Sequence, residues 1–194
     1  LRVIKSRSSK NRKIFRHLTL HSKIAITVTA GLILVGAILI FIFEYSNPLT
    51  IGEMSLFDKI QVSLFQSVTT RTAGFATIPQ ENLTNASAAA SIILMLIGGS
   101  PVGTAGGMKT VTIAVLICSA FATIRNKNSA TLFGRRVSEA SLKKAIAVVV
   151  TFLTICSAST LLLMATCNAS AIDAVYETVS ATATVGLSRN LTAT

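Results

Sequence analysis

The 194 residues predict an all-α integral membrane fold, and three observations carry that expectation. Apolar, uncharged tracts recur at lengths that can cross a bilayer. The charges sort by sign between the segments that join those tracts. A unit of span, short helix and glycine-centred return occurs twice.

The tracts account for an unusual composition. Hydrophobic residues make up 51% of the chain and charged residues 13%, with a mean hydropathy of +0.67. A soluble domain carries about 25% charged residues. "IAITVTAGLILVGAILIFIF" (24–43) and "AIAVVVTFLTICSASTLLLMA" (145–165) are each long enough to cross a hydrocarbon core of ~30 Å as a helix. Between them, residues 86–124 are apolar at both ends and interrupted by "GGSPVGTAGGMKT" (98–110). Neither half reaches ~20 residues, so this tract reads as one long broken helix.

The net charge of +11 points first to nucleic acid, but its distribution points to topology. Residues 1–23 carry eight Lys/Arg and no acid, and residues 125–144 carry six Lys/Arg and one acid. The other six acids (Glu44, Glu53, Asp58, Glu81, Asp173 and Glu177) fall in the remaining connections. The positive-inside rule makes the basic segments 1–23 and 126–144 cytoplasmic and the acidic ones external. The expectation is a multi-pass plasma membrane protein, in a bacterial cell membrane, that meets lipid and not nucleic acid. The three cysteines lie in or beside apolar tracts and show no CxxC or Cys/His spacing, so neither metal site nor disulfide framework is expected. No cleavable signal peptide is evident. An opening Leu and a long basic run read as the middle of something larger.

The connection 44–85 holds its own helical pattern. "SLFDKIQVSLFQSVTT" places Leu56, Phe57, Ile60, Leu64, Phe65 and Val68 at i, i+3, i+4 spacing, a short amphipathic helix. The aperiodic "TRTAGFATIP" follows it. After the last span, "SAIDAVYETVSATATVGLSRN" has the same form. Setting Gly74 against Gly186 aligns Thr70 with Thr182, Thr72 with Thr184, Ala73 with Val185 and Phe75 with Leu187. The shared motif is T-x-T-[AV]-G-[FL]. A repeated unit of this kind is incomplete alone, and its function sits where copies meet.

Non-helical backbone at membrane depth is tolerated where it is buried or lines a water-filled cavity. A re-entrant stretch facing such a cavity can turn its carbonyls inward to replace an ion's water shell, as in potassium channels. The expected architecture is therefore span–pore helix–span repeats with re-entrant filter loops, potassium-channel-like. Glycine suits the middle of such a stretch, because it reaches the φ/ψ combinations that let successive carbonyls face one axis. The short helix would aim its C-terminal partial negative charge at a cation.

The loop 98–110 resembles a phosphate-binding loop only superficially. Aligning Lys109 and Thr110 with the end of G-x-x-x-x-G-K-[ST] puts Met108 where the second glycine belongs, and the preceding tract is a membrane segment. Gly98, Gly99, Pro101, Gly103, Gly106 and Gly107 cannot continue a helix together. A break halfway along a span that descends beside the first return stretch lies in the water path, where a small-residue segment can block ions or swing aside. Lys109 either repels cations while that gate is shut or snorkels to the cytoplasmic surface.

"SVTTRTAGF", "IGGSPVGTAGGMKT" and "ETVSATATVGLS", in this order, resemble the Trk/Ktr/HKT superfamily of potassium transporters, closest to its KtrB-type membrane subunit. The resemblance implies four span–pore–span repeats as a pseudo-tetramer around one pore. Residues 24–125 would be the third repeat and 145–194 the fourth, truncated after its filter, with 126–144 as cytoplasmic linker. It implies Thr72, Ala73, Gly74 and Phe75 as one filter segment and Thr184, Val185, Gly186 and Leu187 as another. It also implies a gating loop of Gly98, Gly99, Ser100, Pro101, Val102, Gly103, Thr104, Ala105, Gly106, Gly107 and Lys109. A homodimer and a cytoplasmic nucleotide-binding regulatory ring are the implied partners. Thr70 stands where the family often has proline, and Val102-Gly103 where Gly-Ser is usual; valine is the stiffer residue.

The function expected is potassium uptake by multi-ion coordination, with no enzymatic activity, no cofactor and no metal beyond the transported K⁺. A sodium-permeable or sodium-coupled transporter of the same fold is the alternative, and a non-conducting fragment is a third reading. A membrane ATPase lacks support, because no phosphate loop or catalytic carboxylate cluster occurs. His17 and His21 are spaced i, i+4, yet both lie in the basic segment, where solvation accounts for them.

Overall fold

The structure, a computed structural model, describes residues 19–99, 106–126, 131–132, 135–189 and 191. Most of the basic segment 1–23, with His17, and residues 100–105 of the expected gating loop lie outside the described residues.

The two long apolar tracts form the longest helices. Helix α1 (Leu20–Glu44) starts at Thr19, whose hydroxyl accepts the Ser22 N–H at 3.3 Å. Mean hydropathy reaches 2.7 over Ser22–Glu44 and 2.3 over Glu139–Thr166, and almost none of either helix is buried within the chain. Leu34, Ile38 and Ile42 on the first, and Leu161 and Leu162 on the second, point outward. In water such a surface would be an association site; in hydrocarbon it is the required one.

After α1 the chain forms the short helix α2 (Leu56–Thr69), an extended return, a 3₁₀ turn (Gln80–Asn82), then α3 (Asn85–Leu96) and α4 (Thr110–Ile124). The apolar tract 86–124 is thus two helices separated by the glycine-rich segment, as its sequence predicts. Helix α5 (Glu139–Thr166) and the short helix α6 (Ala171–Thr182) follow. Helix α1 packs on α2, α3 and α4, while α6 packs on α5 and α3, so α3 stands between the two copies of the repeat.

Two details go beyond what the sequence predicts. The segment 126–144 holds an element of its own. Thr131–Leu132 and Arg135–Arg136 pair antiparallel, the only paired strands among the described residues. Helix α5 then begins at Glu139, six residues before the apolar tract, because Ser138 caps it by accepting the Ser141 N–H at 3.2 Å. The second detail is the orientation of α2. Its polar residues Lys59, Ser63, Gln66, Ser67 and Thr69 are buried, whereas Leu56, Phe57, Ile60, Leu64, Phe65 and Val68 face outward.

Glu44 fixes the outer end of the first unit. Its carboxylate is fully buried and accepts from Thr84 N (2.9 Å), Thr84 Oγ1 (2.8 Å), Asn47 Nδ2 (2.7 Å) and Thr50 Oγ1 (2.6 Å). Each oxygen takes two donors, so the charge is satisfied, and it sits at the start of α3, where the helix dipole favours an anion. Deeper down, Gly36 lets α1 approach closely, because a Cβ there would run into Ser67 and Leu94.

Candidate functional site: two return stretches and a broken helix

Both short helices begin and end alike. Ser55 and Ser170 cap them, accepting the N–H of Asp58 (3.3 Å) and Asp173 (3.2 Å) and donating to those carboxylates at 2.7 and 2.6 Å. This reciprocal S-x-x-D box was present in the sequence as "SLFD" and "SAID" and is a start signal that the periodicity reading passed over. After α2 the backbone turns with Thr72 at φ +71° and Gly74 at φ +76°. After α6 it does the same with Thr184 at φ +56° and Gly186 at φ +90°. A β-branched residue at positive φ is a genuine outlier. Its occurrence at the same motif position in both copies identifies one repeated conformation, not two loops.

Local bonds enforce that conformation. The Thr69 carbonyl accepts from both Ala73 N (3.1 Å) and Gly74 N (3.3 Å), and the Thr69 hydroxyl accepts from Phe75 N (2.8 Å) and donates to Phe75 O (2.6 Å). In the second copy, Thr184 N donates to Ala181 O (3.1 Å) and Val185 N to Ser180 O (2.8 Å).

Side chains in the second stretch alternate. Val185 and Leu187 are buried in a cluster with Ala88 and Met95 of α3 and Tyr176, Val179 and Ala183, while Thr184 and Gly186 face away. The first stretch has the same backbone but a bare flank: Ala73 is exposed and Phe75 is 71% exposed.

The stretches lie against each other. A Cβ at Gly74 would run into the Val185 carbonyl, and one at Gly186 would come 3.9 Å from Gly74 Cα. Within this pair, the carbonyls of Thr72, Ala73, Gly74, Thr184, Val185, Gly186 and Leu187 accept no hydrogen bond from any other described residue. A row of unpartnered carbonyls is costly away from water unless something else coordinates them. Alternating φ sign is what allows adjacent carbonyls to turn to the same side.

The described ends of the glycine-rich segment sit beside this pair. Ile97 and Met108 form a parallel bridge, and Met108 N donates to Leu96 O at 3.1 Å, so the two half-helices remain tied. Gly106 N donates to Thr184 Oγ1 at 2.9 Å. The Arg71 guanidinium reaches the Gly98 carbonyl at 3.4 Å and both the carbonyl and hydroxyl of Thr29 on α1 at 3.4 Å. Gly99 is half-buried, Gly107 turns at φ +71°, and Lys109 is half-buried at the N-cap of α4. Ser100, Pro101, Val102, Gly103, Thr104 and Ala105 lie outside the described residues.

Sequence reading singled out neither Arg71 nor the buried Gln66, Gln80 and Tyr176. A lone Arg beside a candidate cation stretch was a visible signal; the two glutamines carried none. Among the described residues no group of three His, Cys, Asp or Glu could hold a metal ion.

Comparison with known proteins gives this geometry a context. The family model described as TrkH, cation transport protein, matches residues 11–192. Ktr system potassium uptake protein B of Bacillus subtilis is 38% identical over 183 residues, which covers 94% of this chain and 41% of that protein. Its namesake in Vibrio alginolyticus is 37% identical over 182 residues, covering 94% and 40%. Potassium/sodium uptake protein NtpJ of Enterococcus hirae is 34% identical over 181 residues, covering 91% and 40%. The chain thus spans about two fifths of the length of the curated relatives it matches.

Proposed function

The chain belongs to the TrkH family of cation transport proteins, not to an enzyme family, and from that membership we propose that it is part of a potassium uptake pathway. The observation that carries this reading is the pair of adjacent stretches, alike in φ pattern, with seven carbonyls that no described residue satisfies. In this reading Thr72–Phe75 and Thr184–Leu187 are two walls of a selectivity filter, and their carbonyls replace the hydration shell of K⁺. The C-termini of α2 and α6 point their partial negative charge at the same cation.

The walls belong to a third and a fourth repeat of a longer, multi-pass protein of the plasma membrane. The repeat itself supports this. Leu187 and Tyr176 are buried against α3, whereas their motif equivalents Phe75 and Leu64 are 71% and 44% exposed. A further closing span from a preceding unit is the occupant that fits that open flank. The glycine-rich segment acts as the gate in this reading, its described ends tied to Arg71 at Gly98 and to Thr184 at Gly106. Dimerisation and docking of a cytoplasmic nucleotide-binding ring belong to the same proposal.

Passage of sodium is the second reading, favoured by one relative being named a potassium/sodium uptake protein. The filter glycines Gly74 and Gly186 weigh for potassium. The test is uptake of rubidium and sodium by the full-length protein in cells that lack their own potassium uptake, with and without Gly74→Ser or Gly186→Ser. Rubidium uptake that loses selectivity in either variant is the expected result. Wild-type selectivity in both variants overturns the filter assignment, and absence of ion uptake by the intact protein overturns the transport reading.

A further inference from the structure

We propose that Gln66, Gln80 and Tyr176 form a buried brace that sets the spacing of the two stretches and, through it, the ion preference of the pathway. The proposal rests on the transport reading of those stretches. Gln66 lies in α2, Gln80 in the 3₁₀ turn beyond the first stretch, and Tyr176 in α6; their exposures are 0%, 3% and 0%.

The amide of Gln80 is the hub. Its Nε2 donates to Ile78 O at 2.8 Å and to Gln66 Oε1 at 3.3 Å. Its Oε1 accepts from Gln66 Nε2 at 2.6 Å and from the Tyr176 hydroxyl at 3.0 Å. Because a backbone carbonyl only accepts, the atom facing Ile78 must be the nitrogen, which fixes the amide's orientation. Two donors and two lone pairs are then all used. A buried polar network complete in this way rigidifies its surroundings, and a partial one is penalised.

Position gives the brace its role. Gln66 and Gln80 close the base of a loop whose apex is Thr72–Phe75, and the Thr69–Phe75 bonds close it again nearer the tip. Tyr176 comes from the other unit. Its ring packs in the cluster that holds Val185 and Leu187, while its hydroxyl holds the base of the first stretch. One residue therefore couples the placement of both walls. At membrane depth no bulk water is at hand to replace a missing partner. Selectivity by backbone carbonyls depends on cavity size or on the stiffness of the ligand cage, and a brace of this kind governs both. Glu177 helps to close the second stretch, its Oε1 accepting from the Ser188 hydroxyl and from Arg189 N (2.8 Å). The Arg189 guanidinium also reaches the carbonyls of Glu81 and Leu83 at 3.4 Å, but beyond the base of the first loop, so Tyr176 is the cross-unit bond made to that base itself.

The experiment uses the full-length transporter with Tyr176→Phe, Gln80→Leu and Val179→Ala. Tyr176→Phe keeps the ring in its core and leaves Gln80 bonded to Gln66; Val179→Ala disturbs the same core without touching the network. Membrane abundance is measured beside the apparent KM for rubidium and its competition by sodium. Tyr176→Phe is expected to lose about two- to tenfold of the potassium preference at unchanged abundance, the effect of one hydrogen bond. Val179→Ala is expected to lower abundance and to shift the ion ratio less than Tyr176→Phe does. A wild-type ratio in active Tyr176→Phe protein overturns the brace while leaving transport intact, as does an equal shift in Val179→Ala. A wild-type protein that moves neither ion overturns the underlying reading instead.

Discussion

The two return stretches share a backbone and differ in what stands behind them. Thr184–Leu187 is packed: Val185 and Leu187 are only 4% and 3% exposed, buried against α3. Thr72–Phe75 is shaped by its own hydrogen bonds to Thr69 and has open space beyond Ala73 and Phe75. The conformation at positive φ therefore does not come from tertiary packing, since both stretches reach it. It comes from the local motif, and packing decides how firmly it is held. The proposed closing span of a preceding unit would also cover the apolar side that α2 shows outward.

The largest contrast is expected at the glycines. Gly74→Ala adds a Cβ at φ +76° directly into the Val185 carbonyl, so rubidium uptake should fall about tenfold or more. Gly186→Ala meets only the strained φ, with its nearest neighbour at 3.9 Å, and should lose less. Equal losses would mean that the two stretches are not pressed together as described.

Next comes the packing itself. Leu187→Ala opens the α3 cluster and should lower stability by about 2–5 kcal/mol, read as a drop in detergent melting temperature. If the proposed further span covers Phe75, Phe75→Ala should match it in the full-length protein and have little effect in residues 1–194 alone. A small effect in both forms would remove the argument for a covering span.

A gentler separation is expected at the loop. Thr184→Val removes the acceptor for Gly106 N, and Arg71→Gln removes the charge that holds the Gly98 carbonyl. Each should raise the basal rubidium leak about two- to tenfold, the worth of one hydrogen bond. Unchanged leak in both would separate the loop from the gate. The smallest effect belongs to the caps. Ser55→Ala and Ser170→Ala should each cost about 1 kcal/mol, measured as equal shifts in thermal unfolding.

How much of this was legible before the structure follows from the physics of each element. The spans and the helix break were plain, because bilayer thickness and the helix-breaking of Gly98, Gly99, Pro101 and their neighbours act through composition alone. The shared T-x-T-[AV]-G-[FL] motif located both stretches, since its glycine marks a positive-φ position; the positive φ of Thr72 and Thr184 carried no such mark. Which face of α2 is buried was not legible. An amphipathic pattern says that two faces differ, and says nothing about which one meets protein when the alternative to water is lipid. Nor was the set of Gln66, Gln80 and Tyr176, whose members are 14 and 96 positions apart and marked by no spacing rule. Arg71 could have been noticed, because a fixed positive charge beside a cation stretch needs a purpose.

The most direct measurement is anomalous scattering from rubidium- or thallium-soaked crystals of the full-length protein. The account predicts a peak between the stretches, within coordination distance of the carbonyls of Ala73, Gly74, Val185 and Gly186. A functional protein whose ion peaks all lie elsewhere, with those carbonyls bonded to protein or turned away from one another, would contradict it.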